Sequence, residues 1–297
     1  MCTAIRRGSL FGRTLDLEYS YSEAVTITPR FYGAMERFAI IGMATVAQGY
    51  PLYYDGMNEK GLCMAALNFP RSAAYPDFEA DKENIATYEL IPFVLGGCKS
   101  VREARESLAQ VHIYGGAFST EFPPSPLHWM IADERESIVL EVTSDGTHIY
   151  DNEENVLTNE PPFPVMLEHA KSFSALTAEE PQGTRESRGE GALGLPGDWS
   201  SRSRFVRAAF ALSHTQPFDD VAAFFRAMGT VEVPRGCVRL QDGRPVFSRY
   251  TCCMDMKNGV YYYKTYDDSR ITSVDMRRED LNNNSLISYP IKKASLI

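Results

Sequence analysis

Hydrophobic and polar residues along this chain follow mostly the period-two rhythm of β-strands. Residues 5–18 carry two extended pieces around Arg7-Gly8-Ser9, a tight-turn signature. Ala24-Val25-Thr26-Ile27-Thr28 alternates β-branched residues, and residues 38–43 and 61–67 are apolar runs of the length expected for buried strands. Between those runs, Asp55-Gly56-Met57-Asn58-Glu59-Lys60-Gly61 is dense in turn formers and reads as a connection. Strand patterns return at 128–132 and 137–142, joined through Asp133-Glu134-Arg135-Glu136, and again at 250–256, 259–266 and 271–276.

Helical periodicity is confined to the middle. Ser100-Val101-Arg102-Glu103 has capping-box form, and Val101, Ala104, Leu108 and Val111 place an apolar stripe on one helical face. Residues 204–212 and 219–228 repeat the pattern, whereas 177–191 are polar and aperiodic, as in a surface loop. Strands at both ends with helices inserted between them do not make the strict alternation of a parallel doubly wound sheet. They predict antiparallel sheets with helices packed outside, an α+β fold. No internal repeat or composition break divides the chain, so residues 1–297 are expected to form one domain.

Composition narrows the function classes. With 44% hydrophobic and 23% charged residues the chain can bury a core, which rules out a disordered or fibrous protein. Its net charge of −9 lacks the basic footprint that a phosphate backbone demands, so nucleic acid is not an expected partner. No apolar run of about 18 residues is present, so no membrane-spanning segment is expected. The start, Met1-Cys2-Thr3-Ala4-Ile5-Arg6-Arg7, has arginines where a secretory signal needs its apolar segment, and a cytoplasmic location is expected. In that reducing compartment the six cysteines are expected to be thiols, at least four of them small buried hydrophobes. There is no CxxC and the histidines are scattered, so no metal site is expected. His128, beside Trp129, reads as a core histidine, and the acidic run 77–83 as a solvated face.

The chemistry begins at Cys2. A small residue after Met1 permits removal of the initiator, which leaves a free α-amine on a residue that also bears a thiol. Reference pKa values of about 7.7–8.0 and about 8.5 make proton exchange between the two nearly thermoneutral. The thiolate is the reactive species, and a nearby positive charge enriches it. Arg13 and Asp16, in Phe11-Gly12-Arg13-Thr14-Leu15-Asp16, lie where a hairpin returns beside the N-terminus. The guanidinium would favour the thiolate, and the carboxylate would orient the amine. Asn68 follows the strand 62–67 and Asn159 closes Asn155-Val156-Leu157-Thr158. Each suits donation to a developing oxyanion, and each is equally a common turn former.

In order along the chain stand Met-Cys-Thr, Phe-Gly-Arg-x-x-Asp, Gly-Met-Asn-Glu-Lys-Gly-Leu, Leu-Asn-Phe-Pro, Leu-Thr-Asn, Gly-Leu-Pro-Gly-Asp and Ser-Arg-Phe. This series resembles the motifs of the choloylglycine hydrolases, the bile salt hydrolase and penicillin V acylase family of N-terminal nucleophile hydrolases, and it covers essentially the whole chain. The resemblance implies a four-layer αββα sandwich. It further implies Cys2 as nucleophile with Arg13 and Asp16 beside it, Asn159 at the oxyanion, and Arg204 supporting the charge of the nucleophile. Asn68 stands where bile salt hydrolases tend to have Asn and penicillin V acylases Tyr. Two connections, 5–11 and 28–38, are shorter than in many family members, which widens the expected pocket mouth.

The implied reaction is acyl transfer through a Cys2 thioester, with the α-amine as general base and no metal or organic cofactor. The implied substrates are conjugated bile acids, taken into an open hydrophobic cleft for which Phe69 and Phe11 are candidate lining residues. The implied assembly is a homotetramer. Alternatives are an acylase for penicillin V or N-acyl homoserine lactones, and a non-catalytic bile-acid-binding protein. The loop Ser187-Arg188-Gly189-Glu190-Gly191 is a candidate determinant of glycine-versus-taurine preference, whose direction the sequence does not give.

Overall fold

A computed structural model describes residues 1–33, 36–182, 189–216 and 219–291. In chain order it begins with strands β1 (Cys2–Arg7), β2 (Leu10–Leu17), β3 (Ala24–Thr28), β4 (Ile40–Ala47), β5 (Tyr50–Tyr53), β6 (Asp55–Asn58), β7 (Cys63–Asn68) and β8 (Asn84–Ala86). Helices α1 (Leu90–Gly97) and α2 (Val101–Leu108) precede β9 (His112–Tyr114), β10 (Leu127–Ala132), β11 (Ser137–Thr143), β12 (Gly146–Asp151) and β13 (Val156–Leu157). Helices α3 (Phe163–Lys171), α4 (Ser201–His214) and α5 (Val221–Gly229) follow. The chain closes with β14 (Val238–Arg239), β15 (Pro245–Asp255), β16 (Val260–Thr265), β17 (Thr272–Asp275) and β18 (Ile287–Pro290).

The strands assemble into two large antiparallel sheets. The first runs β13-β1-β2-β15-β16-β17, with β14 on β15; the second runs β12-β11-β10-β7-β6-β4-β3-β18, with β5 on β4. They stack face to face over a core that includes Leu15, Met43, Met57, Leu67 and Met254. Helices α4 and α5 cover the outer face of the first sheet, packing on β1, β2 and β15. Helix α1, with α2 beside it, covers the outer face of the second over a separate apolar cluster that includes Leu62, Val94, Leu95 and Trp129. The layers are therefore helix, sheet, sheet, helix. Alternating strand residues feed the two faces, and removing apolar surface from water, at roughly 25 cal/mol for each Å² buried, drives the stack together.

Most strand and helix expectations match, including β3 and the Ser100 N-cap of α2, where the Ser100 hydroxyl accepts from the Glu103 backbone nitrogen. The stripe position Val111 lies past the end of α2, though still against its apolar cluster. The clearest departure is at residues 55–58, read as a connection but forming the buried strand β6. Its polar side chains are satisfied inside: Asn58 Nδ2 donates to the Leu95 and Cys98 carbonyls, and Asn58 Oδ1 accepts from the Leu62 backbone nitrogen. Gly42 makes room for it, since a Cβ there would lie 2.0 Å from the Asp55 carbonyl oxygen. Of the cysteines, five are buried free thiols and Cys237 is exposed.

Candidate active site

The β1–β2 hairpin, turned at Gly8 with φ of +57°, pairs Cys2 with Leu15 and Ala4 with Arg13. Directly opposed residues share a face, so Cys2, Ala4, Arg13 and Leu15 point together between the sheets. Arg13 becomes the diagonal neighbour of Cys2. Thr3, Thr14 and Asp16 alternate to the other face, toward α4. Cys2, at the strand end, therefore meets chemistry from both sides of its sheet.

On the inter-sheet side, Arg13 Nη2 donates to the Cys2 Sγ at 2.6 Å. The rest of the guanidinium is fixed by the carbonyls of Thr14 (3.0 Å), Ala66 (2.9 Å) and Tyr54 (3.2 Å). The residue is fully buried. Burial opposes its charge, but the Cys2 sulfur, Tyr250, Asp55 and Cys252 more than offset that, and the Arg13 pKa moves upward. Arg13 stays protonated.

On the helix side, Arg204 of α4 is equally buried. One of its terminal nitrogens bonds the Cys2 carbonyl and Thr3 Oγ1, and the other donates to Asn159 Oδ1 at 2.7 Å. Its Nε donates to the Trp199 carbonyl, which ties the guanidinium to the start of its own helix. Burial is the largest influence and lowers its pKa, with Asp16 and Cys2 acting the other way.

Asn159 sits where these groups converge, just after β13. Its Oδ1 accepts from the Cys2 backbone nitrogen at 2.9 Å, and its Nδ2 donates to the Asn68 carbonyl at 2.7 Å. Ser201 Oγ receives the Asn159 backbone N–H. Asp16 accepts from the hydroxyls of Ser248 (2.6 Å) and Thr14 (3.2 Å). Its backbone pairs with Met1, whose amino group donates to the Asp16 carbonyl. A cavity of about 450 Å³ opens onto Cys2, walled mainly by apolar and aromatic side chains such as Leu17, Leu52, Tyr54, Tyr88, Ile91, Phe118 and Phe122. Asn68 lies on the same wall. Among the described residues no group of three or more His, Cys, Asp or Glu could hold a metal ion.

A thiol held against an arginine, with its own residue's nitrogen on an asparagine, is an arrangement for cleaving acyl bonds. Residues 2–289 match the linear amide C–N hydrolases of the choloylglycine hydrolase type. The chain belongs to the choloylglycine hydrolase family. It is 46% identical to a protein of Lactiplantibacillus plantarum named bile salt hydrolase/transferase, with 98% of this chain and 97% of that one covered. A crystal structure of a variant conjugated bile acid hydrolase from Clostridium perfringens superposes with a TM-score of 0.94 at 32% identity, covering 100% of this chain and 99% of that one. Penicillin V acylase from Agrobacterium tumefaciens shares the fold, with a TM-score of 0.77 at 20% identity over 97% of this chain and 90% of that one.

Within this choloylglycine hydrolase chain, all six residues singled out from sequence converge, but two contacts differ from expectation. With Met1 in place, the Cys2 nitrogen is held by Asn159, while the Asp16 carboxylate binds hydroxyls. Asn68 contributes its backbone carbonyl to Asn159. The lining assignment of Phe69 and Phe11 is corrected: both are fully buried in the core, and Phe69 stacks on His128 with centroids 4.3 Å apart. His128 is a satisfied core histidine as read, bonded to Glu141 and to the Thr158 carbonyl. Sequence reasoning missed Thr3, which holds Arg204, Ser248, which holds Asp16, and Ser201, which holds the Asn159 backbone. Only strand register and the α4 docking bring them there, and no spacing signals it. Of the segment linked to glycine-versus-taurine preference, Ser187 and Arg188 lie outside the described residues.

Proposed function

We propose that this protein is a bile salt hydrolase, cleaving the amide bond of glycine- and taurine-conjugated bile acids. The observation that carries the reading is the Cys2 thiol, bound by Arg13 and opening onto an apolar cavity large enough for a rigid steroid body. The naming of the 46% identical relative supports the substrate class.

Loss of Met1 exposes the Cys2 α-amine. The amine takes the thiol proton, and the sulfur attacks the amide carbonyl carbon while Arg13 and Arg204 stabilise the negative charge nearby. The carbonyl oxygen becomes an oxyanion. Asn159 Nδ2 has a second hydrogen beyond the one given to Asn68, and donates it there. The α-ammonium then protonates the departing nitrogen, the C–N bond breaks, and glycine or taurine leaves. Water gives a proton to the same amine and attacks the thioester, which releases the bile acid and restores the thiol. The Asp16 carboxylate, held by Ser248 and Thr14, supports the charge on the helix side. Among the described residues no helix is long and apolar enough to cross a membrane. The cytoplasmic location and homotetramer implied by the N-terminus and the family resemblance belong to the same proposal, and fractionation and light scattering check them.

The test is a panel of glycocholate, taurocholate and penicillin V, with release of free glycine or taurine as readout. Faster cleavage of the conjugated bile acids is expected. Much faster turnover of penicillin V would reverse the substrate assignment, and binding of bile salts without cleavage would reverse the enzymatic one.

A further inference from the structure

Two buried guanidiniums flank Cys2, and a charge in the protein interior must be balanced. On the helix side, Arg204 has the buried carboxylate of Asp16 near it. On the inter-sheet side, Asp55 of β6 is the corresponding group, fully buried and facing Arg13 from the opposite sheet. Four of the five N–H donors of Arg13 go to three carbonyls and the Cys2 sulfur, and none of these bonds reaches Asp55. The Asp55 oxygens are taken by two tyrosines of the Arg13 sheet: Tyr250 Oη donates to Oδ2 at 2.5 Å and Tyr261 Oη to Oδ1 at 2.7 Å. A carboxylate isolated from water, with two hydroxyl donors and a long 3.5 Å approach from the Met43 backbone nitrogen, is an expensive group to bury without a role. On balance the Asp55 pKa lies above the ordinary carboxylate value: burial raises it by more than Arg13, Tyr250, Tyr261 and the Met43 backbone nitrogen pull it down.

We propose that Asp55, held by Tyr250 and Tyr261, is the counter-charge of Arg13 and a positioning residue for the nucleophile: it limits how strongly the guanidinium stabilises the Cys2 thiolate. The inference rests on the assignment of Cys2 as nucleophile. An arginine left uncompensated beside a thiol would produce abundant but feeble thiolate, because nucleophilicity falls with basicity. A carboxylate across the sheets tempers that field while the four contacts of Arg13, none of them to the carboxylate itself, hold the guanidinium in place; one is to the Tyr54 carbonyl, in the peptide bond that leads into Asp55. Among the described residues, the titratable groups that face Asp55 are Arg13 on β2, Tyr250 and Cys252 on β15, Tyr261 on β16 and Cys63 on β7. Burial holds the two thiols and two phenols in their neutral forms, well above their ordinary values. Arg13 is thus the charged partner that remains.

The experiment is the pH dependence of iodoacetamide labelling of Cys2, read by mass spectrometry of the N-terminal peptide in processed full-length protein. In Asp55→Asn, an isosteric change, the labelling midpoint is expected to fall by about one pH unit. The high-pH labelling rate then drops about threefold, as a Brønsted slope of about 0.4–0.5 dictates. A midpoint that stays put or rises in folded Asp55→Asn overturns the proposal, whatever happens to stability. Tyr261→Phe removes one of the donors that keep Asp55 ionised, so part of it protonates and loses its charge, and the midpoint is expected to move the same way by less. If Asp55→Asn does not fold, an unmoved midpoint in Tyr261→Phe overturns the proposal alone. Bile-salt turnover by the wild-type protein is measured separately, so a wrong substrate class cannot be mistaken for a wrong role of Asp55.

Discussion

Replacing Asn159 tests the site more sharply than replacing the nucleophile, because this side chain has two separable jobs. Its Oδ1 accepts from the Cys2 nitrogen and from Arg204, and its Nδ2 donates to the Asn68 carbonyl and, in the proposed mechanism, to the oxyanion. Asn159→Ala removes both. Loss of one preorganised oxyanion donor costs about 10²–10³ in kcat, or about 2.7–4 kcal/mol. Three broken hydrogen bonds, two of them fully buried, at about 1 kcal/mol each add roughly 3 kcal/mol of lost stability, on the order of 5 °C in Tm for a chain of this size. Asn159→Asp keeps an acceptor for Arg204 and the amine but puts negative charge where the oxyanion forms. It should therefore retain most of the stability and lose at least as much kcat. The assay is steady-state release of glycine from glycocholate, beside thermal unfolding and labelling of Cys2. KM should move little, since the steroid wall lies elsewhere in the cavity. Should both variants keep kcat within tenfold of wild type while remaining folded, Asn159 does not stabilise the transition state and the oxyanion assignment is wrong.

Three further outcomes follow from the same geometry. Cys2→Ser should abolish turnover while circular dichroism and bile-salt binding, measured by calorimetry, stay close to wild type; sustained turnover would identify another nucleophile. Active protein should show the mass of the chain without Met1, and a variant whose initiator is retained should be at least about 10³-fold slower, because the general base would be an amide. Asp198 is hydrogen-bonded by Ser200 and Ser203 at the start of α4, which lowers its pKa from 3.8 to about 2. A depressed carboxylate stabilises above its unfolded value and loses that contribution as pH falls toward about 2. Asp198→Asn should thus be less stable at pH 7, by at most about 1 kcal/mol for so exposed a group. In urea titrations the gap to wild type should close below about pH 4, and a gap constant with pH would contradict the assignment.

Local pattern carried much of this protein. Period-two alternation marked β3 and the strands at both termini, the Ser100-to-Glu103 spacing marked the start of α2, and the mixture implied layered antiparallel sheets because each half-buried strand needs a partner on one face. The ordered motifs singled out Cys2, Arg13, Asp16, Asn68, Asn159 and Arg204, which the fold brings together, since a thiol with charged and amide residues in recognisable strings is a rare pattern. What local pattern could not reach was set by distance in sequence. Strand β6 looked like a turn because Asp55, Gly56 and Asn58 are turn formers. Its carboxylate is tolerated only because Tyr250 and Tyr261, some 200 positions away, arrive from the facing sheet. Phe69 looked like a pocket residue and is core, because β10 places His128 beneath it. The sequence alone determined which groups could react. Tertiary packing decided which of them touch, because hydrogen bonds and charge balance across two sheets depend on register and docking, which leave no mark on neighbouring residues.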